Sequence, residues 1–382
     1  DPVLLEVFNN LFMNIAEQMG LRLQNTAHSV NIKERLDFSC ALFSAAGELI
    51  ANAPHMPVHL GSMSESIKTV IERNPGMRAG DVYVLNDPYH GGTHLPDVTV
   101  VTPVYLEPAA GAAGAAPRPS FYVASRGHHA DIGGSTPGSM PPFSTNIGEE
   151  GILFDNFLLV RDGRLREAEL LARLRGEAIG GASANRWPAR NPQQTLADLR
   201  AQIAANEKGV QELRAMVAQF GRDTVAAYMQ HVQDNAEESV RRVIGALKDG
   251  QFALPLDNGA VIRVRVQVDA AAREAVIDFS ARLSPSFQSA VPFTPQSVVC
   301  VFGDHAERRD RTDEQDQRSD AESHRYGIPA GQCDEPQPGA RHSGECAAER
   351  DNAHRVIAMR FVVMHHVGGC HHDLLARPFG QP

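Results

Sequence analysis

Apolar residues in the first stretch of the chain recur every three or four positions. From Val3 to about Gly20, the residues Leu4, Leu5, Val7, Phe8, Leu11, Phe12, Ile15 and Met19 fall at helical spacing, with Gly20 as the expected stop. The period then shortens. Phe38 to Phe43 and Leu49 to Ala51 read as two short strands around a turn at Gly47. Ser62 with Glu65 makes a capping-box word ahead of a helix from Ile67 to Arg73. Asp81 to Leu85, Val98 to Leu106 and Phe121 to Ser125 are apolar runs of strand length, and the segment Glu107 to Ser120, mostly Ala, Gly and Pro, reads as an inserted surface loop. Helical spacing returns over Leu196 to Phe220 and Thr224 to Leu247, parted at Gly221, which predicts an antiparallel helical hairpin. Ala260 to Val268 and Ala275 to Phe279 predict a last strand pair. The expected class is α+β: mixed sheets whose strand-end loops form a site, with the helical hairpin packed alongside.

The pattern ends near Ser280. Between Gly303 and Arg355 the only large apolar residues are Tyr326 and Ile328, among crowded Asp, Glu, Arg, Gln and His without period. Such a stretch buries too little surface to offset its ordering entropy. It is either a disordered acidic-basic tail or a translation in a frame that slips near Ser280. With the end of the chain it carries eight of the sixteen histidines, to which no role is assigned.

Composition narrows the function classes. A net charge of -10 and a pI near 5.9 argue against nucleic acid or an anionic membrane as the main partner. No apolar run has membrane-spanning length, and no basic segment followed by a hydrophobic one opens the chain. Cys40, Cys300, Cys333, Cys346 and Cys370 are scattered and odd in number, which points to a reducing, cytoplasmic setting. The start at Asp1-Pro2 rather than at a methionine is consistent with a cut from a longer polypeptide.

The chemistry concentrates in loops. Asn86 to Asp97 holds two histidines and two aspartates, and Pro88, Gly91, Gly92 and Pro96 forbid regular structure in it. A second such loop runs from Arg126 to Gly134. Each contains the word His-x-x-Asp: His94 with Asp97, and His128 with Asp131. Imidazole and carboxylate suit a divalent first-row ion, and two pairs on facing loops supply four ligands with positions left for water. The plainer reading is that these residues cap turns. A third loop, Asn52 to Gly61, carries His55 and His59, read either as substrate contacts or as core histidines. Asp87 before Pro88 fits an Asx turn or a general base; His90 and His129 fit substrate-facing or supporting groups. Gly133 to Pro142, rich in Gly, Ser and Pro, has the composition of a lid. Cys40 lies in an apolar strand and reads as an inert thiol. No Gly-x-x-x-x-Gly-Lys-Ser/Thr word supports a nucleotide site.

Four words, in order, resemble the hydantoinase B-type family: Asn9 to Met19, Ser39 with the Asn52 to Gly61 loop, Asn86 to Asp97, and His128 to Gly134. That family includes the C-terminal half of ATP-dependent 5-oxoprolinase, which the first hundred residues resemble most, B subunits of N-methylhydantoinase and a subunit of acetone carboxylase. The resemblance implies ring opening of the cyclic amide 5-oxo-L-proline to L-glutamate, a step of glutathione metabolism, with ATP used by a hydantoinase A-type partner module and the whole assembled as an oligomer. It implies a divalent ion, Mn, Fe, Zn or Mg, on His94, Asp97, His128 and Asp131. Asp87, His129 or His59 would then act as general base, and His55 and His90 would contact substrate. Residues 1–280 resemble the N-terminal part of the family domain; residues 281–382 lack the Gly-Thr-Ser step and the glycine-rich segments that follow in the family. The alternatives are an N-methylhydantoinase or acetone-carboxylase-type subunit, or a scaffold or defunct fragment left inactive by truncation. Resequencing the DNA across the codons for Phe279 to Cys300 decides the tail: a one-base insertion or deletion marks a shifted frame, an intact frame a disordered tail.

Overall fold

In the computed structural model the described residues are 1–53, 55–106, 118–178, 184–255 and 261–278. The expectations for residues 281–382 and for most of the Glu107 to Ser120 insertion lie outside them. The first helix, α1 (Pro2–Thr26), is capped by the Asp1 carboxylate, which accepts from Val3 N at 2.9 Å. It does not stop at Gly20. A Cβ there would lie 2.3 Å from His55 Nε2, so the glycine admits the imidazole to the helix backbone instead of ending the helix. The buried stripe of α1 is Phe8, Phe12, Ile15, Met19 and Leu23, each side chain worth about 1.5–3 kcal/mol on burial. A short helix missed in the sequence, α2 (Val30–Lys33), follows.

Strands β1 (Phe38–Ser44) and β2 (Leu49–Asn52) form the expected antiparallel hairpin. Helix α3 (Pro57–Arg73) begins ten residues before Ile67, with Pro57 in its first turn, where the missing N–H costs nothing. Ser62 therefore lies within the helix and caps nothing: its hydroxyl donates to His59 O at 3.1 Å and accepts from the Arg126 guanidinium.

Strands β3 (Val82–Leu85), β4 (Asp97–Val104) and β5 (Phe121–His128) come next, followed by β6 (Phe157–Arg161), β7 (Arg164–Leu165) and α4 (Glu167–Leu174), three elements the sequence did not disclose. The seven strands make one sheet in the order β2-β1-β5-β4-β3-β6-β7 with antiparallel pairing throughout. Every residue of β4 is buried, because both faces of the sheet are covered. On one face Ala41, Phe43, Tyr83, Leu85, Val101, Tyr122 and Ala124 pack against Met63, Ile67 and Val70 of α3. The other face packs on α1, on α4 and on the long helix α5 (Pro192–Phe220).

Helix α5 is fastened to the sheet by polar side chains as well as apolar ones. Gln202 Nε2 donates to Val98 O and Ser125 O at 2.9 and 3.1 Å, and Asn206 Nδ2 to Val100 O at 2.9 Å. Asp198 accepts from the backbone N–H groups of His28 and Ser29 at the entrance of α2. After Gly221, whose φ of 83° suits glycine, helix α6 (Arg222–Ala246) starts and Tyr228 stacks on Phe8 of α1 at 4.2 Å between ring centroids. The two predicted helices follow one another, parted at Gly221, but α5 packs along α1 and not against α6 as the expected antiparallel hairpin.

The described residues from Ala236 onward belong to a second compact unit. Its described residues include a three-stranded antiparallel sheet of β8 (Gly250–Pro255), β9 (Val261–Asp269) and β10 (Glu274–Asp278), ordered β10-β9-β8. The expected strand pair is β9 with β10; β8 adds to it. Among the described residues no helix is long and apolar enough to cross a membrane.

The Asn86 to Asp97 loop hangs on one side chain. Asn86 is fully buried; its Nδ2 donates to Leu95 O and Ile152 O at 2.9 and 3.0 Å, and its Oδ1 accepts from Phe154 N at 2.7 Å. Asn86→Ala leaves all three backbone groups without that partner, and at about 1–3 kcal/mol for each unsatisfied group the expected loss in urea-unfolding stability is about 3 kcal/mol or more.

Candidate metal centre

The register of the sheet builds the site. Asp97, the first residue of β4, lies directly opposite His128, the last of β5, and β1 enters beside them, with Phe38 opposite Gly127 and His128 N donating to Asp37 O at 2.9 Å. Side chains two apart on a strand share a face. Asp37 and Ser39, His128 and Arg126, and Asp97 and Thr99 thus form one polar end on the face covered by α3. Helix α3 adds His59 from its first turn, and the central loop adds His94.

The Asp97 carboxylate is the hub. Its Oδ1 lies 3.1 Å from His128 Nδ1; its Oδ2 lies 3.2 Å from His94 Nδ1, 3.4 Å from His59 Nε2 and 3.2 Å from the donating Thr93 hydroxyl. Asp37 stands behind, 3.8 Å from His59 Nε2 and 3.9 Å from His128 Nδ1. One ligand atom each from His94, Asp97 and His128 falls within 4.8 Å of the other two, close to the spread of ligands around one cation at about 2.1 Å from each. The donor set also fits in kind, since imidazole nitrogen and carboxylate oxygen suit zinc, manganese or iron. Burial pushes the Asp97 carboxyl up, but the attraction of His59 and His94 and the hydrogen bond from His128 hold it well below the ordinary value. Burial lowers His128, and the Asp97 hydrogen bond together with the charges of Asp97 and Asp37 more than reverses this, leaving it raised.

The other expected site residues lie elsewhere. Asp131 is not brought to the cluster: its carboxylate accepts from Arg190 Nη1 at 2.8 Å and from the backbone of Gly133 at 2.8 Å and Arg190 at 3.1 Å. The second His-x-x-Asp word is split because strand β5 continues through His128, three residues past Ser125, and the chain turns away only afterwards. His129 is buried with its Nε2 2.9 Å from Gln202 Oε1 of α5. Burial lowers its basicity, and its Nδ1 has no hydrogen-bond partner. His55 accepts from Cys40 N at 3.2 Å and lies against Phe38, with burial first and then His59 lowering its pKa to about 4.

Asp87 and His90 pair at 2.5 Å, and with Asp155 form a second gathering; there Arg73 already engages Asp155 at 2.5 Å. The segment expected to be a lid is pinned by Ser139, whose hydroxyl accepts from Ile132 N and donates to Gly133 O. Cys40 is fully buried, and burial pushes its thiol up, as expected of an inert thiol. Asp37 escaped the sequence reading, and Ser39, noted there in a family word, was given no role. Their signal was alternation: both fall on one face at the start of β1, two residues apart.

Seven antiparallel strands lie between helices, with imidazoles and carboxylates gathered at one sheet end as a candidate metal centre. The chain belongs to the hydantoinase B/oxoprolinase family, whose sequence model matches residues 1–301, beyond the point near Ser280 where the family words stop. It is 43% identical over 297 residues to 5-oxoprolinase 1 of Arabidopsis thaliana, covering 73% of this chain and 23% of that protein. The 5-oxoprolinase of Dictyostelium discoideum is 43% identical over 290 residues, covering 73% of this chain and 21% of that protein. The chain thus spans about a quarter or less of the length of these relatives. Among solved structures it is similar to an ATP-dependent caprolactamase from Pseudomonas jessenii, with a TM-score of 0.60 and 26% identity over 74% of this chain and 46% of that one.

The loop that carries His94 tolerates no side chain at Gly92, where a Cβ would lie 2.5 Å from the Asn86 carbonyl carbon and oxygen. Gly92→Ala is expected to cost about 1–3 kcal/mol by overpacking against backbone, read as a lowered urea midpoint with an unchanged slope.

Proposed function

We propose that this chain is the B-type part of an ATP-dependent 5-oxoprolinase, opening the cyclic amide of 5-oxo-L-proline to L-glutamate. The observation that carries the metal role is the meeting of His94, Asp97 and His128 at the end of β4 and β5. The substrate rests on the relatives named 5-oxoprolinase, and the likeness to a caprolactamase supports a cyclic amide as the class. Because the chain covers only part of those proteins, the activity is that of a larger assembly, in which a hydantoinase A-type module uses the ATP. A lactam carbonyl is a poor electrophile, which accounts for the need to activate it. The scattered cysteines favour the cytoplasm as the setting.

His94, Asp97 and His128 would hold the ion, with Asp37 adding negative charge behind them. A divalent ion held there supplies Lewis acidity and lowers the pKa of water. His59, buried at the edge of the cluster, is placed to take a proton, whereas His129 is turned toward α5 and Asp87 is engaged by His90. In this proposal Asp131 braces the loop after β5 through Arg190 rather than binding metal.

The test uses the complete enzyme, with its A-type module. His94→Ala, Asp97→Ala and His128→Ala are each expected to lower bound metal and to reduce ring opening by more than about 100-fold, beyond the 10–100-fold that supporting residues around a metal cost. Asp131→Asn should keep its metal. Full metal content in all three alanine variants would sink the proposal.

A further inference from the structure

We infer that Ser39 is a positioning residue that holds a proton on His59 Nδ1, so that Nε2 is the nitrogen turned to the Asp97–Asp37 end of the cluster. This rests on the proposed metal centre for its purpose but on separate atoms for its evidence. Ser39 is fully buried in β1, and its hydroxyl lies 3.0 Å from Met56 O and 3.1 Å from His59 Nδ1. A hydroxyl has one proton to give. Met56 O can only accept, so Ser39 donates to it and accepts from His59; both contacts are hydrogen bonds only when Nδ1 carries the proton.

The far side of the ring faces acceptors: His59 Nε2 lies 3.4 Å from Asp97 Oδ2 and 3.8 Å from Asp37 Oδ1. With the Nδ1 proton held by Ser39, Nε2 is the nitrogen that His59 presents to the cluster. His59 is 1% exposed and rides on the first turn of α3. The Ser39 relay is thus the means by which a residue of the sheet sets the chemistry of a residue of the helix. It also separates His59 from His129: Gln202 Nε2 is committed to two carbonyls, so Gln202 Oε1 accepts, and the proton of His129 sits on Nε2.

The experiment is a two-bond ¹⁵N–¹H correlation spectrum of the metal-free full chain labelled with ¹⁵N-histidine, at pH 9 where imidazole is neutral, with His59→Gln to assign the resonances. The expected pattern is a protonated Nδ1 and a bare, downfield Nε2 for His59. Ser39→Ala should switch the ring to the Nε2–H form, and Ser39→Thr, which keeps a hydroxyl, should not. An Nε2–H His59 in the unmodified chain overturns the inference, as does an unchanged tautomer in folded Ser39→Ala; if that variant does not fold, the unmodified spectrum still decides. Zinc is then added to the unmodified chain. Failure of the His94 and His128 resonances to move overturns the metal reading while leaving the Ser39 assignment in place.

Discussion

A carboxylate with 3% of its surface exposed, placed at the end of a sheet, is the constraint around which this molecule is arranged. Burying an ionised Asp97 costs far more than any single hydrogen bond returns, unless partners surround it. The chain meets this from three directions: β5 brings His128, the central loop brings Thr93 and His94, and α3 brings His59. No two of these elements are adjacent in sequence. The site therefore exists only when β4, β5 and α3 are already in register, which couples folding to the electrostatics of one side chain.

That register depends in turn on a sheet covered on both faces. Where β4 and β5 lie between α3 and α5, their residues are apolar or small on both sides, and the polar ones collect at the end where α3 begins. Helix α5 does more than cover. Gln202 and Asn206 reach strand carbonyls that the helix would otherwise leave facing apolar side chains, and Asp198 fixes the entry to α2. Gly127 keeps the strand close to this layer, since a Cβ there would meet Ile32 Cδ1 at 2.9 Å.

Much of this was legible in the sequence. The strands from Phe38 and Leu49, the strand leading to Asn86 and the long helices all announce themselves by period. So does the Asn86 to Asp97 loop, whose prolines and glycines mark it and whose His94 and Asp97 meet as a pair. What failed to show has a physical reason in each case. Gly20 reads as a stop because glycine weakens helices, yet its value here is the absence of a Cβ opposite His55, a tertiary fact. Ser62 and Glu65 spell a cap, yet Pro57 begins α3 earlier and Ser62 is taken by Arg126. Asp37 carries no motif; only its proximity to His128 across β1 and β5 gives it significance, and such proximity is set by pairing rather than by local sequence. Strands β6 and β7 are too short for their alternation to stand out.

The two His-x-x-Asp words show how far identical spelling can diverge in function. In the first, the turn after His94 returns the chain on itself, with Asp97 N donating to His94 O at 3.1 Å, so both side chains reach one point. In the second, His128 is still within a strand and Asp131 is three residues beyond it. At strand spacing of about 3.3 Å per residue, an extended path separates the pair by more than any common ligand can bridge. Arg190, arriving just ahead of α5, then supplies the positive charge that Asp131 needs and ties the loop after β5 to α5. One word became a meeting of donors and the other a brace. The brace holds the loop that follows His128, and so it serves the meeting without belonging to it.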